Sequence, residues 1–173
     1  MTLPIVRLVD ADSAAFEAAL VGDDQLSAVL GVRVSPGWEG FPEALPSLLS
    51  AAESRGPGEP HWGSVLFLVD SDDEGVLVGL GGYHGAPDND GVVEIGYSVA
   101  PEFRRRGVAA AAVEQLVARA FADATVTAVI AHTLEGPNPS TGVLDRAGFG
   151  RAGELVDPDE GTVWTWRRER APG

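Results

Sequence analysis

The sequence predicts a single mixed α/β domain over residues 1–173, in which a sheet carries helices on both faces. Two observations predict this class. Runs rich in Val, Ile and Leu alternate along the chain with segments of helical spacing. In addition, 173 residues are enough to bury one sizeable core, and no internal repeat divides them.

The first half of the chain predicts a helical region followed by a hairpin. Asp10 or Asp12 is a suitable N-cap for the first helix. The acidic turn 70–75 joins two apolar runs, which indicates an antiparallel pair. The predicted elements are, in order, a strand over 5–9, helices over 13–20, 26–30 and 41–52, and strands over 64–69 and 76–83.

The second half predicts strands and helices in alternation. The run 125–133 is strongly apolar, which favours a buried strand parallel to its neighbour. The predicted elements are, in order, a strand over 92–99, a helix over 107–122, a strand over 125–133, a helix over 140–147, and strands over 149–156 and 162–168.

Composition excludes several classes of function. The formal charge is −14, which disfavours nonspecific binding to nucleic acid or to an anionic membrane, since both need a basic face. The acidity either favours a cationic substrate or serves solubility alone. The chain contains no Lys, which excludes Schiff-base chemistry and a P-loop lysine. It contains no Cys, which excludes disulfides and thiolate nucleophiles.

The expected location is the cytoplasm. The apolar run 65–69 is far too short to cross a bilayer. No signal-peptide pattern opens the sequence.

The most informative segment is 101–109, between the predicted strand 92–99 and the helix that follows. Three consecutive arginines, Arg104 to Arg106, precede Gly107 there. A strand that turns into a helix presents backbone N–H groups, and the helix dipole adds partial positive charge. Gly107 lets a ligand approach the backbone without a Cβ in the way. The segment therefore predicts a site for the pyrophosphate of a phosphorylated cofactor.

The segment from Glu94 to Ala109, EIGYSVAPEFRRRGVA, resembles the acetyl-CoA-binding core of the GNAT superfamily of N-acetyltransferases. The family pattern, Arg/Gln-x-x-Gly-x-Gly/Ala, is matched by Arg104, Gly107 and Ala109. Residues 132–149 are similar to the next strand, an Asn-x-Ser helix start and a closing Gly-Phe. The EIGYSV strand is nearest to the branch of ribosomal-protein N-terminal acetyltransferases. The resemblance implies a mostly antiparallel mixed sheet with a splayed central strand pair.

The resemblance also implies acetyl-CoA as cosubstrate and assigns residues to it. The backbone N–H of Val99 would face the thioester carbonyl, and Asn138 would support the cofactor arm or its turn. Ser140 would protonate the leaving thiolate. Many members use a Tyr on this helix instead, and none lies between 138 and 148, so the acid stays open. The expected cofactor-binding residues are Val99, Arg104, Arg105, Arg106, Gly107, Val108, Ala109 and Asn138.

Glu94 is the candidate general base, because a carboxylate inside an apolar strand needs a cleft or a partner and the acceptor amine must lose a proton. Three alternatives stay open: Glu94 pairs with an Arg, Ser140 only caps a helix, and His132 is either a base or structural. For His84, as for His132, the sequence gives little support for a functional role. Trp38, Phe41 and the pair His61–Trp62 either line the acceptor pocket or pack. The dispersed histidines give no metal-ligand spacing.

These observations predict an N-acetyltransferase that needs no metal and in which the amine attacks acetyl-CoA directly in a ternary complex. The expected acceptor is a small amine or a peptide N-terminus, with no nucleic-acid or membrane partner. A homodimer, the identity of the acceptor and the use of other acyl groups stay open. The alternative is a catalytically weak acyl-CoA-binding or sensing module.

Overall fold

The computed structural model describes residues 4–55, 62–71 and 73–172. The chain forms two compact units, Met1–Gly82 with Tyr97–Ala112, and Tyr83–Gly96 with Val113–Gly173. Strand and helix segments run from one unit into the other, so neither unit is a continuous stretch of chain. The single domain over 1–173 stays a prediction.

The first unit combines a helical region with a hairpin and its neighbours. Strand β3 pairs antiparallel with both β1 and β4, and the short β2 pairs parallel with β4. The bounds are β1 Val6–Asp10, α1 Ser13–Val21, α2 Asp23–Leu30, β2 Arg33–Val34, α3 Leu45–Ser54, β3 Ser64–Ser71 and β4 Glu74–Tyr83, with 3-10 helices at Pro42–Ala44 and Pro101–Phe103.

Most of the second unit is a strand–helix–strand arrangement closed by a hairpin. Strand β5 pairs parallel with β6, from Val92 opposite Ala128 to Ile95 opposite Ala131. Strand β8 pairs antiparallel with β6 on one side and β7 on the other. The bounds are β5 Val92–Val99, α4 Val108–Phe121, β6 Ala128–Leu134, α5 Pro139–Arg146, β7 Gly150–Asp157 and β8 Gly161–Glu169.

Apolar periodicity accounts for the packing of the long elements. Helix α4 buries Val113, Leu116, Val117 and Ala120, which recur at helical spacing. Strand β3 buries five consecutive residues, Val65 to Val69, as expected for a strand covered on both sides. In the first unit, Phe16, Leu26 and Trp38 share one apolar cluster. Burial of this apolar area is the main stabilising term of each unit.

The mixed α/β class with mostly antiparallel pairing is confirmed, and most element bounds differ by one or two residues. Asp12 caps α1, since its Oδ1 accepts from the N–H of Ala15 at 2.9 Å. Strand β6 begins later than predicted because Thr125 donates to Asp123 in a turn. Strand β2 was missed, since two residues carry no periodicity. Among the described residues no helix is long and apolar enough to cross a membrane.

Gly79 of β4 generates the first prediction. A Cβ there would collide with the carbonyl oxygen of Ser98 and lie 2.8 Å from Cδ2 of Phe67. Gly79→Ala should therefore lower the free energy of unfolding by about 1–3 kcal/mol, the usual cost of overpacking. Gly150→Ala is the control, because a Cβ at Gly150 meets nothing within 4 Å. Urea denaturation of both variants checks this, and equal losses would contradict it.

Candidate functional site

The turn that precedes α4 has the backbone of an anion site. Gly107 has φ +80°, and Arg105 has φ +61°, which is uncommon for a residue with a Cβ. The N–H of Ala111 donates to the carbonyl of Gly107 at 3.0 Å, and this is the start of the helical hydrogen-bond pattern. The N–H groups of the first turn precede that pattern and have no partner within the helix. They can hold an anion where the helix dipole favours one.

The three arginines of this turn are exposed and differ in what they contact. Nε of Arg104 donates to the carbonyl of Val99 at 3.0 Å. The guanidinium of Arg106 lies 5.1 Å from the ring centre of Phe103. Val108 is buried and anchors the helix start, whereas Ala109 is only half-buried. A cleft of about 180 Å³ beside the turn is lined by Phe103, Arg106, Val108 and the end of β3.

Val99 ends strand β5 and is itself buried. Its carbonyl accepts from Arg104, and the N–H of the next residue, Ala100, donates to Val78 at 2.7 Å. These bonds fix the strand end that leads into the turn. The proposed contact between the Val99 N–H and a thioester stays a prediction.

Glu94 lies between two imidazoles of the second unit. Its Oε1 is 3.2 Å from Nδ1 of His132 on β6, and its Oε2 contacts Nδ1 of His84, just after β4. The side chains of Glu94, His132 and His84 are 29%, 26% and 60% exposed. A carboxylate in an apolar strand needs polar partners, and Glu94 has two. They are histidines, and not the Arg that the sequence offered as an alternative partner.

These contacts shift two ionisation equilibria. The hydrogen bond to His84 is the main cause that lowers the pKa of Glu94 below its ordinary 4.5, and burial opposes it. The same hydrogen bond raises the pKa of His84 above 6.5 against the effect of burial. At neutral pH Glu94 is therefore an ionised carboxylate of low basicity, suited to stabilising an imidazolium beside it.

The backbone explains why His84 reaches Glu94. The N–H of His84 donates to the carbonyl of Glu94 at 2.9 Å. The imidazole covers Gly96, where a Cβ would lie 3.0 Å from Nε2. A side chain at position 96 would displace this ring. The sequence gave little reason to single out His84. The signal that could have pointed to it is Gly96, two residues after Glu94, because a glycine there leaves room for the imidazole.

Helix α5 begins with a capping box. Oδ1 of Asn138 accepts from the N–H of Thr141 at 3.1 Å, and the Thr141 hydroxyl contacts the Asn138 N–H at 3.0 Å. Nδ2 of Asn138 donates to the carbonyls of Leu134 and Gly136. The alternative in which Ser140 only caps this helix is therefore wrong, because Asn138 is the N-cap and Ser140 lies inside the first turn. The side chain of Asn138 is used in holding the turn.

The described residues contain no group of three or more His, Cys, Asp or Glu arranged to hold a metal ion. Glu94, His84 and His132 are named the Glu94 cluster below. Imidazole is the side chain that gains and loses protons near neutral pH. A carboxylate on Nδ1 leaves Nε2 as the atom that can accept a proton.

Residues 3–150 match the acetyltransferase (GNAT) domain. The chain belongs to the GNAT acetyltransferase family. YjdG of Bacillus subtilis (strain 168), an uncharacterised N-acetyltransferase, is 27% identical over 148 residues, which cover 83% of this chain and 85% of the relative. The predicted superfamily and the predicted N-acetyltransferase class are thereby confirmed.

Solved GNAT structures share the fold. RimL, described as a ribosomal L7/L12 alpha-N-protein acetyltransferase, has a TM-score of 0.63 at 16% identity and covers 95% of this chain and 90% of its own. AAC(6')-Ib in complex with paromomycin and acetyl-CoA has a TM-score of 0.62 at 20% identity and covers 95% and 93%. These likenesses show the fold of the chain.

The Glu94 cluster predicts a pH window of stability. The raised pKa of His84 contributes stability that is fully present below pH 6.5 and is lost as the pH rises through the folded value. The lowered pKa of Glu94 contributes stability that is present above pH 4.5 and is lost as the pH falls through its folded value. The loss of unfolding free energy in His84→Gln should therefore be largest between pH 4.5 and 6.5. Denaturation of both proteins from pH 4 to 9 checks this, and a pH-independent difference would refute it.

Proposed function

We propose that this GNAT protein transfers an acetyl group from acetyl-CoA to a primary amine by direct attack within a ternary complex. The observation that carries the proposal is the arginine-rich turn, with its positive-φ Arg105 and Gly107, at the start of α4 in a chain of this family. Acetyl-CoA, when bound, supplies the acetyl group as an activated thioester.

The turn fits an anionic cofactor in its backbone and in its charge. Gly107 leaves the backbone open to close approach, and Arg104, Arg105 and Arg106 are exposed beside it. Arginine holds phosphate through several N–H groups in fixed geometry. Val108 and Ala109 would donate backbone N–H bonds from the first helical turn. Val99 is proposed to contact the cofactor arm through its backbone, and Asn138 to support the arm by holding the turn before α5, as the family resemblance implies.

The Glu94 cluster is proposed to take the proton from the attacking amine. A protonated amine has no lone pair for attack, so its proton must leave. Both oxygens of Glu94 already contact imidazole nitrogens. We therefore assign proton acceptance to Nε2 of His132, the better shielded histidine, and assign to Glu94 the stabilisation of the imidazolium that forms. Glu94 thus keeps a catalytic part, but as one half of a carboxylate–imidazole pair.

Ser140 is proposed as the group that returns a proton to the leaving thiolate. Ser140 lies two residues after the N-cap Asn138, on the helix start whose sequence resembles that of the family. Ser140 is half-buried in the first turn of α5.

The acceptor is proposed to be a small amine or a peptide N-terminus. RimL is described as an acetyltransferase of a ribosomal protein, and AAC(6')-Ib was solved with the small molecule paromomycin. Proteins of this fold are therefore found with protein substrates and with small-molecule ligands. Of the aromatic candidates for the acceptor pocket, Trp38 and Trp62 are buried, Phe41 is exposed and His61 lies outside the described residues. The test is an acetyl-transfer screen over peptides and small amines, with mass detection of the products. Acetyl-CoA binding without any acetylated product would favour the acyl-CoA-binding module instead.

Charge reversal tests the cofactor turn. Arg104→Glu and Arg106→Glu should each weaken acetyl-CoA binding by about 10- to 100-fold, the scale of a lost hydrogen bond to a charged group. Arg151→Glu is the control, because it makes the same charge change on strand β7. Calorimetric titration with acetyl-CoA measures all four proteins. Equal affinities, or no binding by the wild type at millimolar ligand, would overturn the assignment.

Paired variants test the Glu94 cluster. Glu94→Gln and His132→Gln should each lower turnover by about 100-fold with little change in acetyl-CoA affinity, the usual scale for a lost general base. The double variant should be little slower than either, because residues that act as a unit are not additive. Glu17→Gln, at an exposed position of α1, is the control. Steady-state kinetics measure the turnover of each variant. If the double variant loses turnover by the product of the two single losses, Glu94 and His132 act independently and the proposed pair is wrong.

A further inference from the structure

A buried hydroxyl group binds the carboxylate that lies just before the arginine-rich turn. Ser35 follows strand β2 and is fully buried, with an exposed fraction of 0%. Its Oγ donates to Oε1 of Glu102 at 2.6 Å. Glu102 lies in the 3-10 helix Pro101–Phe103, two residues before Arg104. This hydrogen bond therefore joins two segments that are 67 residues apart in the sequence.

Backbone contacts on both sides fix the position of Ser35. Its N–H donates to the carbonyl of Leu77 on strand β4 at 2.9 Å. Two residues later, a Cβ on Gly37 would lie 2.9 Å from Cδ of Pro101, so the loop after Ser35 passes directly against the start of the 3-10 helix. All of these residues belong to the first unit. The hydroxyl group is therefore placed to meet the carboxylate of Glu102.

Arg33 is a second and weaker partner of Glu102. Its Nη1 lies 3.5 Å from Oε1 of Glu102, and the two side chains are 46% and 50% exposed. An exposed ion pair of this kind contributes little, because water screens both charges. The hydrogen bond from Ser35 is the main cause that lowers the pKa of Glu102 below its ordinary 4.5, and loss of solvent opposes it. The charges of Arg33 and Arg106 lower this pKa further.

The charge of Arg106, on the arginine-rich turn, acts on the same carboxylate. The guanidinium of Arg106 lies 5.1 Å from the ring centre of Phe103, the residue that follows Glu102. It also lines the cleft of about 180 Å³ beside the turn. A carboxylate and a phosphate compete for the same N–H groups of a guanidinium. A Glu102 side chain released from Ser35 would therefore pair with Arg106 and reduce the positive charge that the turn presents to an anion.

We propose that Ser35 is a positioning residue for acetyl-CoA binding, because it holds Glu102 away from the arginine-rich turn and leaves Arg106 to the phosphates of the cofactor. The inference rests on the proposed function, since acetyl-CoA is the anion whose binding it concerns. A purely structural role for Ser35 has a different consequence. Loss of the hydrogen bond would then weaken binding whether or not residue 102 carries a charge, whereas competition by the carboxylate requires that charge.

The experiment measures acetyl-CoA binding by calorimetry in the wild type, Ser35→Ala, Glu102→Gln and the double variant. Ser35→Ala should weaken binding by about 5- to 10-fold, between the scale of an exposed ion pair and that of a hydrogen bond to a charged group. Glu102→Gln keeps an oxygen that accepts from Ser35 and removes the charge, so it should bind acetyl-CoA as tightly as the wild type or more tightly. The double variant should regain the wild-type affinity, because no carboxylate is left to compete. Ser50→Ala and Glu43→Gln are matched controls at exposed positions of the first unit, and neither should change the affinity.

Stability separates this role from a structural one. Ser35→Ala and the double variant lose the same hydrogen bond, so both should melt below the wild type by a similar amount, although Ser35→Ala alone should bind acetyl-CoA weakly. Equal weakening in these two variants, unchanged affinity in Ser35→Ala, or weaker binding by Glu102→Gln would each overturn the inference. If Ser35→Ala does not fold, Glu102→Gln still decides, because its hydrogen bond is intact and a loss of affinity there contradicts the inference.

The proposed function can fail separately. If the wild type does not bind acetyl-CoA, the same four proteins are titrated with inorganic pyrophosphate, which tests the turn as an anion site without the rest of the cofactor. Weaker binding by Ser35→Ala that is restored in the double variant then supports the role of Ser35 while the proposed function fails. Any other order of affinities, or no binding of pyrophosphate by the wild type, refutes the inference.

Discussion

The close approach of β4 to the end of β5 is the constraint on which the position of the arginine-rich turn depends. Gly79 has no Cβ where the carbonyl of Ser98 passes, and the N–H of Ala100 donates to Val78 immediately afterwards. With the strand end held there, the chain can turn at once into the 3-10 helix and the arginine-rich segment.

Two carboxylates show how differently the fold treats the same group. Glu94 has an imidazole on each oxygen, which lowers its pKa and makes it a firm electrostatic support. Glu39 has one carboxylate oxygen, Oε2, that is buried and has no hydrogen-bond partner. The first arrangement favours the ionised carboxylate, and its histidines are the ones to which we assign proton transfer.

Local signals made most of the fold predictable. Gly91 and Pro101 bracket strand β5, and its predicted bounds, 92–99, agree with the structure. The arginine-rich turn before α4 was recognisable because Gly107 directly follows three consecutive arginines, Arg104 to Arg106. The partners of Glu94 were not, since His84 follows β4 and His132 lies on β6, and only the fold brings these distant residues together.

The chain's exclusive use of arginine divides its electrostatics into two kinds. An exposed guanidinium binds an anion through several N–H groups in fixed geometry. In the Glu94 cluster, the hydrogen bond between His84 and Glu94 raises the pKa of His84 and lowers that of Glu94. It follows that acetyl-CoA affinity should depend less on pH than turnover, which should follow the protonation of the cluster. A pH dependence that appears in turnover and not in donor affinity would thus belong to proton transfer, and the two kinds of charge can be told apart without any substitution.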